Sequence, residues 1–179
     1  MRVAITGGIA DGKSTVLDIL AKKGFQTESS DEIARRLFSD VSVQAEICSI
    51  FGEINSDRAA IRDLIAQDVA ARTALNRIMH PKIIEELRRS EAVFFEVPLL
   101  IESCLIGEFD RIWVVFSGTE NQLDRLISRL GDRSKALLML ETQLPTPCKL
   151  AFADRILRND QDLPTVIANV SNAIRSEFG

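Results

Sequence analysis

The sequence predicts an α/β protein, a three-layer α/β/α sandwich on a parallel sheet of about five strands. Three observations lead there. Short apolar runs of β character alternate along the chain with stretches of helical periodicity, the order that gives right-handed crossovers and a parallel sheet. Gly7-Gly8-Ile9-Ala10-Asp11-Gly12-Lys13-Ser14 fits G-x-x-x-x-G-K-[ST] between a strand-like run, Arg2-Val3-Ala4-Ile5-Thr6, and a helical one, Thr15 to Lys23. Two helical blocks, 30–90 and 119–151, are longer than a crossover needs, so they read as elaborations of a core formed by 1–29, 91–118 and 152–179.

Composition narrows the class. The chain has 179 residues, 46 % of them hydrophobic, enough for one domain with a proper core. The net charge is −4, and basic residues cluster only in pairs such as Arg35-Arg36 and Arg88-Arg89, so neither nucleic acid nor a membrane surface is expected as the main partner. Cys48, Cys104 and Cys148 lack C-x-x-C spacing, which predicts free thiols in a reducing compartment rather than disulfides or zinc. The first residues run directly into strand and glycine loop, and no apolar stretch approaches the ~20 residues of a membrane span, so a cytoplasmic location is expected; the chain is expected to act as a monomer or weak homo-oligomer.

Taken in order, Gly24 stops the first helix and Phe25 to Ser29 reads as a second strand. Asp31 opens a helix running to Phe38, with Ser30 or Asp31 as its cap. From Val41 to Arg89 the pattern is helical, punctuated by Gly52 and Asn55-Ser56-Asp57, and Pro81 is expected at the first position of a last helix ending near Arg89. Ala92 to Val97 and Arg111 to Phe116 are buried-type strands. Thr119 to Leu130 reads as a helix with Gln122, Arg125 and Arg129 on one face. Arg133 to Lys149 follows as a polar helical hairpin broken at Pro145 and Pro147. Asp154 to Arg158 is the last strand, and Leu163 to Phe178 an amphipathic closing helix.

The glycine loop carries the clearest chemistry. A triphosphate needs several backbone N–H groups aimed at it without intervening side chains, and Gly7 and Gly12 leave those positions open. Lys13 would reach the β- and γ-phosphates, Ser14 would ligate the Mg²⁺ that bridges them, and the helix beginning there adds its positive dipole end. The motif therefore predicts ATP or GTP with Mg²⁺. Asp11 puts a carboxylate beside a polyanion site; Coulomb repulsion predicts that it points outward, leaving only its N–H in the cradle.

With these residues in hand, the chain resembles the dephospho-coenzyme A kinase family, P-loop small-molecule kinases. The likeness is collinear over nearly the whole chain: Thr6-Gly7-Gly8-Ile9 with the glycine loop, Asp31-Glu32-Ile33-Ala34-Arg35, His80-Pro81 followed by Ile83, Val97-Pro98-Leu99-Leu100-Ile101-Glu102, Gln122 with Arg125 and Arg129, Gln143, Lys149, and Ala153-Asp154 with Asn159. The family's Asp-Ala-Asp before the second helix is Ser29-Ser30-Asp31 here. The resemblance implies transfer of the ATP γ-phosphate to the ribose 3′-hydroxyl of dephospho-CoA, a helical CoA-side subdomain over 30–90 and a lid over 119–151. Alternatives are another nucleoside-monophosphate or metabolite kinase, or a catalytically weakened nucleotide-binding relative. A guanine-nucleotide switch is disfavoured by the lack of an [NT]-K-x-D motif.

The resemblance makes Asp31 the catalytic base, with Lys13 and Arg129 stabilising the transferring phosphoryl group. Read from residues alone, Asp31 is equally a helix cap, and Arg125 and Arg129 equally a solvated face. ATP contacts are expected from Gly8, Ala10, Asp11, Gly12, Lys13, Ser14, Thr15, Arg129 and Asn159. Substrate contacts are expected from Asp31, Arg35, His80, Pro81, Leu99, Leu100 and Glu102. His80 either shapes the CoA-side pocket or caps the helix after it. Lys149 holds nucleotide or is a surface lysine. Glu96, at a strand end, either reaches Mg²⁺ through water or orders the base.

Overall fold

The computed structural model describes residues 1–52 and 58–179; Asn55-Ser56-Asp57 lie outside them. The chain divides into two compact units, Met1–Ser29 with Glu91–Gly179, and Ser30–Ser90. Its strands are β1 (Val3–Thr6), β2 (Thr27–Ser29), β3 (Phe94–Glu96), β4 (Arg111–Phe116) and β5 (Arg155–Arg158). Its helices are α1 (Lys13–Lys22), α2 (Ser30–Phe38), α3 (Val41–Phe51), α4 (Arg58–Gln67), α5 (Val69–Arg89), α6 (Thr119–Leu130), α7 (Arg133–Glu141), the single turn α8 (Thr146–Lys149) and α9 (Leu163–Phe178).

In the first unit all five strands run parallel in the order β2-β3-β1-β4-β5. The central position of β1 follows from its composition: every residue from Val3 to Thr6 is buried, as in a strand covered on both faces. Val3 pairs with Phe94 on one side and Arg111 on the other. One core cluster joins Val3, Ile5, Phe94, Trp113 and Val115 of the sheet to Val16 and Leu20 of α1 and to Val166 and Val170 of α9. Each such side chain contributes about 1.5–3 kcal/mol on burial, which fixes α1, and the loop before it, against the sheet.

The second unit is helical, with a core of Val43, Ile47, Ile61, Leu75, Ile78 and Met79, against which Leu37, Phe38 and Ile83 pack. Asp40 caps α3 by accepting from the Ser42 and Val43 N–H groups, and Asp68 caps α5 by accepting from those of Ala70 and Ala71. The boundary expected at Pro81 does not exist. One helix runs from Val69 to Arg89 with Pro81 inside it. Proline removes one helical hydrogen bond there, but Leu75, Ile78 and Met79 before it and Leu87 after it are buried, and tertiary packing of both halves offsets the ~3 kcal/mol that an interior proline costs.

Candidate active site

The loop between β1 and α1 is shaped by its glycines. Gly7 has φ +149°, and a Cβ there would lie 2.4 Å from the Val115 carbonyl oxygen. Gly12, immediately before α1, has φ +88°, and a Cβ would lie 1.9 Å from Asn159 Nδ2. Between them Ala10 also adopts the left-handed conformation, φ +63°, at a cost of about 1–2 kcal/mol for a non-glycine residue. Lys13 is largely buried, and its Nζ donates to the Gly8 carbonyl at 2.8 Å. Among the described residues, the backbone N–H groups of Ala10, Gly12, Ser14 and Thr15 donate to no other group. They are gathered at the positive end of the α1 dipole, which is the equipment of an anion site. Ser14 is exposed at the same junction.

A ring of side chains braces this loop. Gln122 Nε2 donates to the Ile9 carbonyl at 2.8 Å, and Gln143 Oε1 accepts from the Ile9 N–H at 3.1 Å. Arg125 donates to the carbonyls of Ala10 at 3.2 Å and Asn159 at 2.6 Å, while Asn159 Nδ2 donates to the Asp11 carbonyl at 2.8 Å. Arg125 is therefore engaged with the loop backbone. Arg129, one turn further along α6, is exposed and makes no hydrogen bond or ion pair among the described residues.

The outward orientation expected of Asp11 is corrected: its side chain is fully buried. Its carboxylate is turned into the protein, where four donors meet it. Oδ1 accepts from Ser117 N–H at 3.0 Å and Ser117 Oγ at 2.7 Å; Oδ2 accepts from Gly8 N–H at 2.8 Å and Thr146 Oγ1 at 2.6 Å. Repulsion from a polyanion can be avoided by inward as well as outward rotation, and these donors select inward. The Gly8 N–H is consequently taken by Asp11. Ser117 and Thr146 carried no signal in the sequence, each being a lone hydroxyl that only the fold brings to residue 11.

Lys149 is neither at the surface nor free for nucleotide. Its side chain is 0 % exposed, and Nζ lies 2.8 Å from Glu102 Oε1 and donates to the Pro98 carbonyl at 2.9 Å. Glu102 also accepts from the Leu144 N–H at 3.0 Å. Burial pulls the Glu102 carboxyl upward, but the hydrogen bond from Lys149, backbone N–H groups and the Lys149 charge override it, leaving it below its ordinary range. Leu100 is fully buried, whereas Leu99 is 42 % exposed. Glu96 ends β3, with its Cα paired to that of Ile5.

Asp31, Arg35, His80 and Pro81 belong to the helical unit. Asp31 lies in the first turn of α2, inside the helix rather than at its cap. Its side chain is exposed and accepts no hydrogen bond among the described residues, while its carbonyl accepts from Arg35 Nε at 3.3 Å. His80 and Pro81 are exposed in the middle of α5, so His80 caps no helix; Asp68 does. Among the described residues there is no group of three or more His, Cys, Asp or Glu able to hold a metal ion, and no helix long and apolar enough to cross a membrane.

The family model for dephospho-CoA kinase matches residues 1–165. The chain belongs to the dephospho-CoA kinase family. A dephospho-CoA kinase of Fusobacterium nucleatum is 36 % identical over 183 residues, which cover 95 % of this chain and 95 % of that one. Among solved structures, TT1252 from Thermus thermophilus matches with a TM-score of 0.86 at 28 % identity, over 100 % of this chain and 98 % of that one. A dephospho-CoA kinase from Campylobacter jejuni matches with a TM-score of 0.65 at 24 % identity, over 98 % and 96 %, a likeness of fold. As a member of the dephospho-CoA kinase family, the protein is a kinase on the P-loop kinase fold.

Proposed function

We propose that the protein transfers the γ-phosphoryl group of ATP to the ribose 3′-hydroxyl of dephospho-CoA, the last step of coenzyme A synthesis. The observation that carries this reading is the set of undonated N–H groups at Ala10, Gly12, Ser14 and Thr15, beside Lys13 and the start of α1. Such a site holds the β- and γ-phosphates, and phosphoryl transfer asks mainly for that positioning and for charge neutralisation. Lys13, tethered now on the Gly8 carbonyl, would exchange that acceptor for phosphate oxygen. Asn159, which donates to the Asp11 carbonyl, is a proposed ATP contact beside the loop. Arg129, on a lid formed by residues 119–151, has an uncommitted guanidinium to place over the transferring group, where exclusion of water makes its charge count most.

Mg²⁺ with ATP fits the residues present: Ser14 offers a hydroxyl at the loop, Glu96 a carboxylate at the end of a strand adjoining β1, and Mg²⁺ takes its remaining ligands from phosphates and water rather than from a protein cage. When bound it would neutralise charge on the β- and γ-oxygens. On the acceptor side, Asp31 is the proposed base, taking the proton of the attacking hydroxyl; its exposed carboxylate is engaged by no other described group. Arg35, His80 and Pro81 of the helical unit, and Leu99, Leu100 and Glu102 of the sheet unit, are the other proposed substrate residues. A cytoplasmic site of action as a monomer or weak homo-oligomer belongs to the same reading.

The test is a panel of acceptors with ATP and Mg²⁺, followed by chromatography of the products. Dephospho-CoA should be converted to CoA. Phosphorylation of AMP or CMP with no reaction on dephospho-CoA would refute the proposal. Asp31→Asn should lower kcat by about 10²-fold or more with little effect on the KM for ATP, and unaltered turnover would remove Asp31 as the base.

A further inference from the structure

Asp11 is a fully buried acid placed inside a phosphate-binding loop, where it serves no neutralising purpose. Its four hydrogen bonds sort by oxygen. Oδ1 is bound by Ser117 alone, through both N–H and Oγ, and Ser117 is two residues before α6 begins. Oδ2 is bound by Thr146, the first residue of α8, and by the N–H of Gly8 in the loop itself. Every residue of α6 and α7 lies between Ser117 and Thr146 in sequence. One carboxylate thus holds both ends of the α6–α7 part of the lid that would close over the nucleotide, and it does so from within the loop that would bind the nucleotide's phosphates.

We propose that Asp11 is a positioning residue that couples the phosphate loop to the lid, its carboxylate pinning the two ends of the α6–α7 segment, at Ser117 and Thr146, to the backbone of Gly8. The inference rests on the kinase reading for what the loop and lid do. The chemistry explains why a carboxylate stands here. Each oxygen meets a backbone N–H, Ser117 on one side and Gly8 on the other, and a backbone N–H only donates. Asparagine, in either orientation, must set its own NH₂ against one of them. Aspartate alone among residues of this size presents acceptors on both sides.

The test is hydrogen–deuterium exchange by mass spectrometry with and without a non-hydrolysable ATP analogue and Mg²⁺, on the unaltered protein, Asp11→Asn, Thr146→Val and Ser117→Ala. In the unaltered protein the analogue should slow exchange in peptides covering 7–15 and, through Asp11, in those covering 119–145. Thr146→Val leaves the loop's own groups in place, so it should keep the protection at 7–15 and lose most of that at 119–145. In steady state it should lower kcat several-fold with the KM for ATP changed less than about twofold. Asp11→Asn should lose protection in both regions; where that variant does not fold, Thr146→Val and Ser117→Ala decide the matter. Protection at 119–145 that survives in Thr146→Val and Ser117→Ala would overturn the coupling. So would protection confined to 7–15 in the unaltered protein, with the kinase reading left intact. Absence of protection at 7–15 in the unaltered protein would overturn the nucleotide reading and the coupling together.

Discussion

The pairing of Lys149 with Glu102 should be asymmetric to mutation. Lys149→Met keeps the stem volume and deletes the ammonium, so Glu102 loses a partner at 2.8 Å and the Pro98 carbonyl a donor at 2.9 Å. The carboxylate left behind still has the Leu144 N–H and a side chain 23 % exposed, so water replaces the missing donor. The cost should be that of a charge-assisted hydrogen bond, about 2 kcal/mol. Glu102→Gln instead leaves an ammonium at 0 % exposure facing only neutral acceptors, and stranding a buried charge costs about 3–5 kcal/mol. Trp113, the single tryptophan, is buried in β4 of the same unit, so urea unfolding followed by its fluorescence reads both variants at constant slope. Acid adds a second reading. The Glu102 carboxyl is lower in the folded protein than its ordinary value of 4.5, so its stabilising contribution is complete above about pH 4.5 and fades as the pH falls through the lowered native value. The unaltered protein should therefore lose stability more steeply below pH 4.5 than Lys149→Met does. Equal costs for the two variants, or parallel acid limbs, would refute this account.

Three further substitutions test the loop and the core. Gly12→Ala should destabilise by roughly 2–4 kcal/mol, because φ +88° strains the new residue and its Cβ displaces Asn159 from the Asp11 carbonyl; calorimetry reads the loss, and the KM for ATP should rise at least about tenfold. Ala10→Gly removes left-handed strain of about 1–2 kcal/mol against a backbone-entropy penalty of about 0.5–1 kcal/mol, so its melting temperature should stay level or rise slightly. Trp113→Phe should cost less than about 1.5 kcal/mol in urea unfolding followed by circular dichroism, since the lost volume is partly offset by deleting an indole N–H that is buried without a hydrogen-bond partner among the described residues.

Much of the fold was legible because its signals are local. Arg111–Phe116, Thr119–Leu130 and Leu163–Phe178 fall where the apolar spacing places them, and Gly12 before Lys13 marks the junction of loop and helix. Pro81 misled because proline's local penalty is smaller than the burial of the helix on both sides of it. The loop motif carried the expectation of a phosphate site, but nothing of how the loop is braced, since Gln122, Gln143, Thr146 and Asn159 reach it from distant parts of the chain. Asp11 and Lys149 misled for one shared reason. A charge read from sequence is assigned to solvent or ligand by default, and only the fold reveals that each has buried partners, Ser117 and Thr146 for one, Glu102 for the other.

The middle strand of the sheet is also the first to be synthesised. Val3 must wait for Phe94 and then Arg111 before both of its edges are covered, and at ribosomal rates the roughly hundred intervening residues take on the order of 5–20 s. Throughout that interval Val3-Ala4-Ile5-Thr6 is a naked apolar ribbon, while the helical unit between Ser30 and Ser90, whose contacts are nearer in sequence, is free to form. Nascent-chain protection by a chaperone, or a slow step on dilution from denaturant, would trace back to the placement of the opening residues at the heart of the sheet.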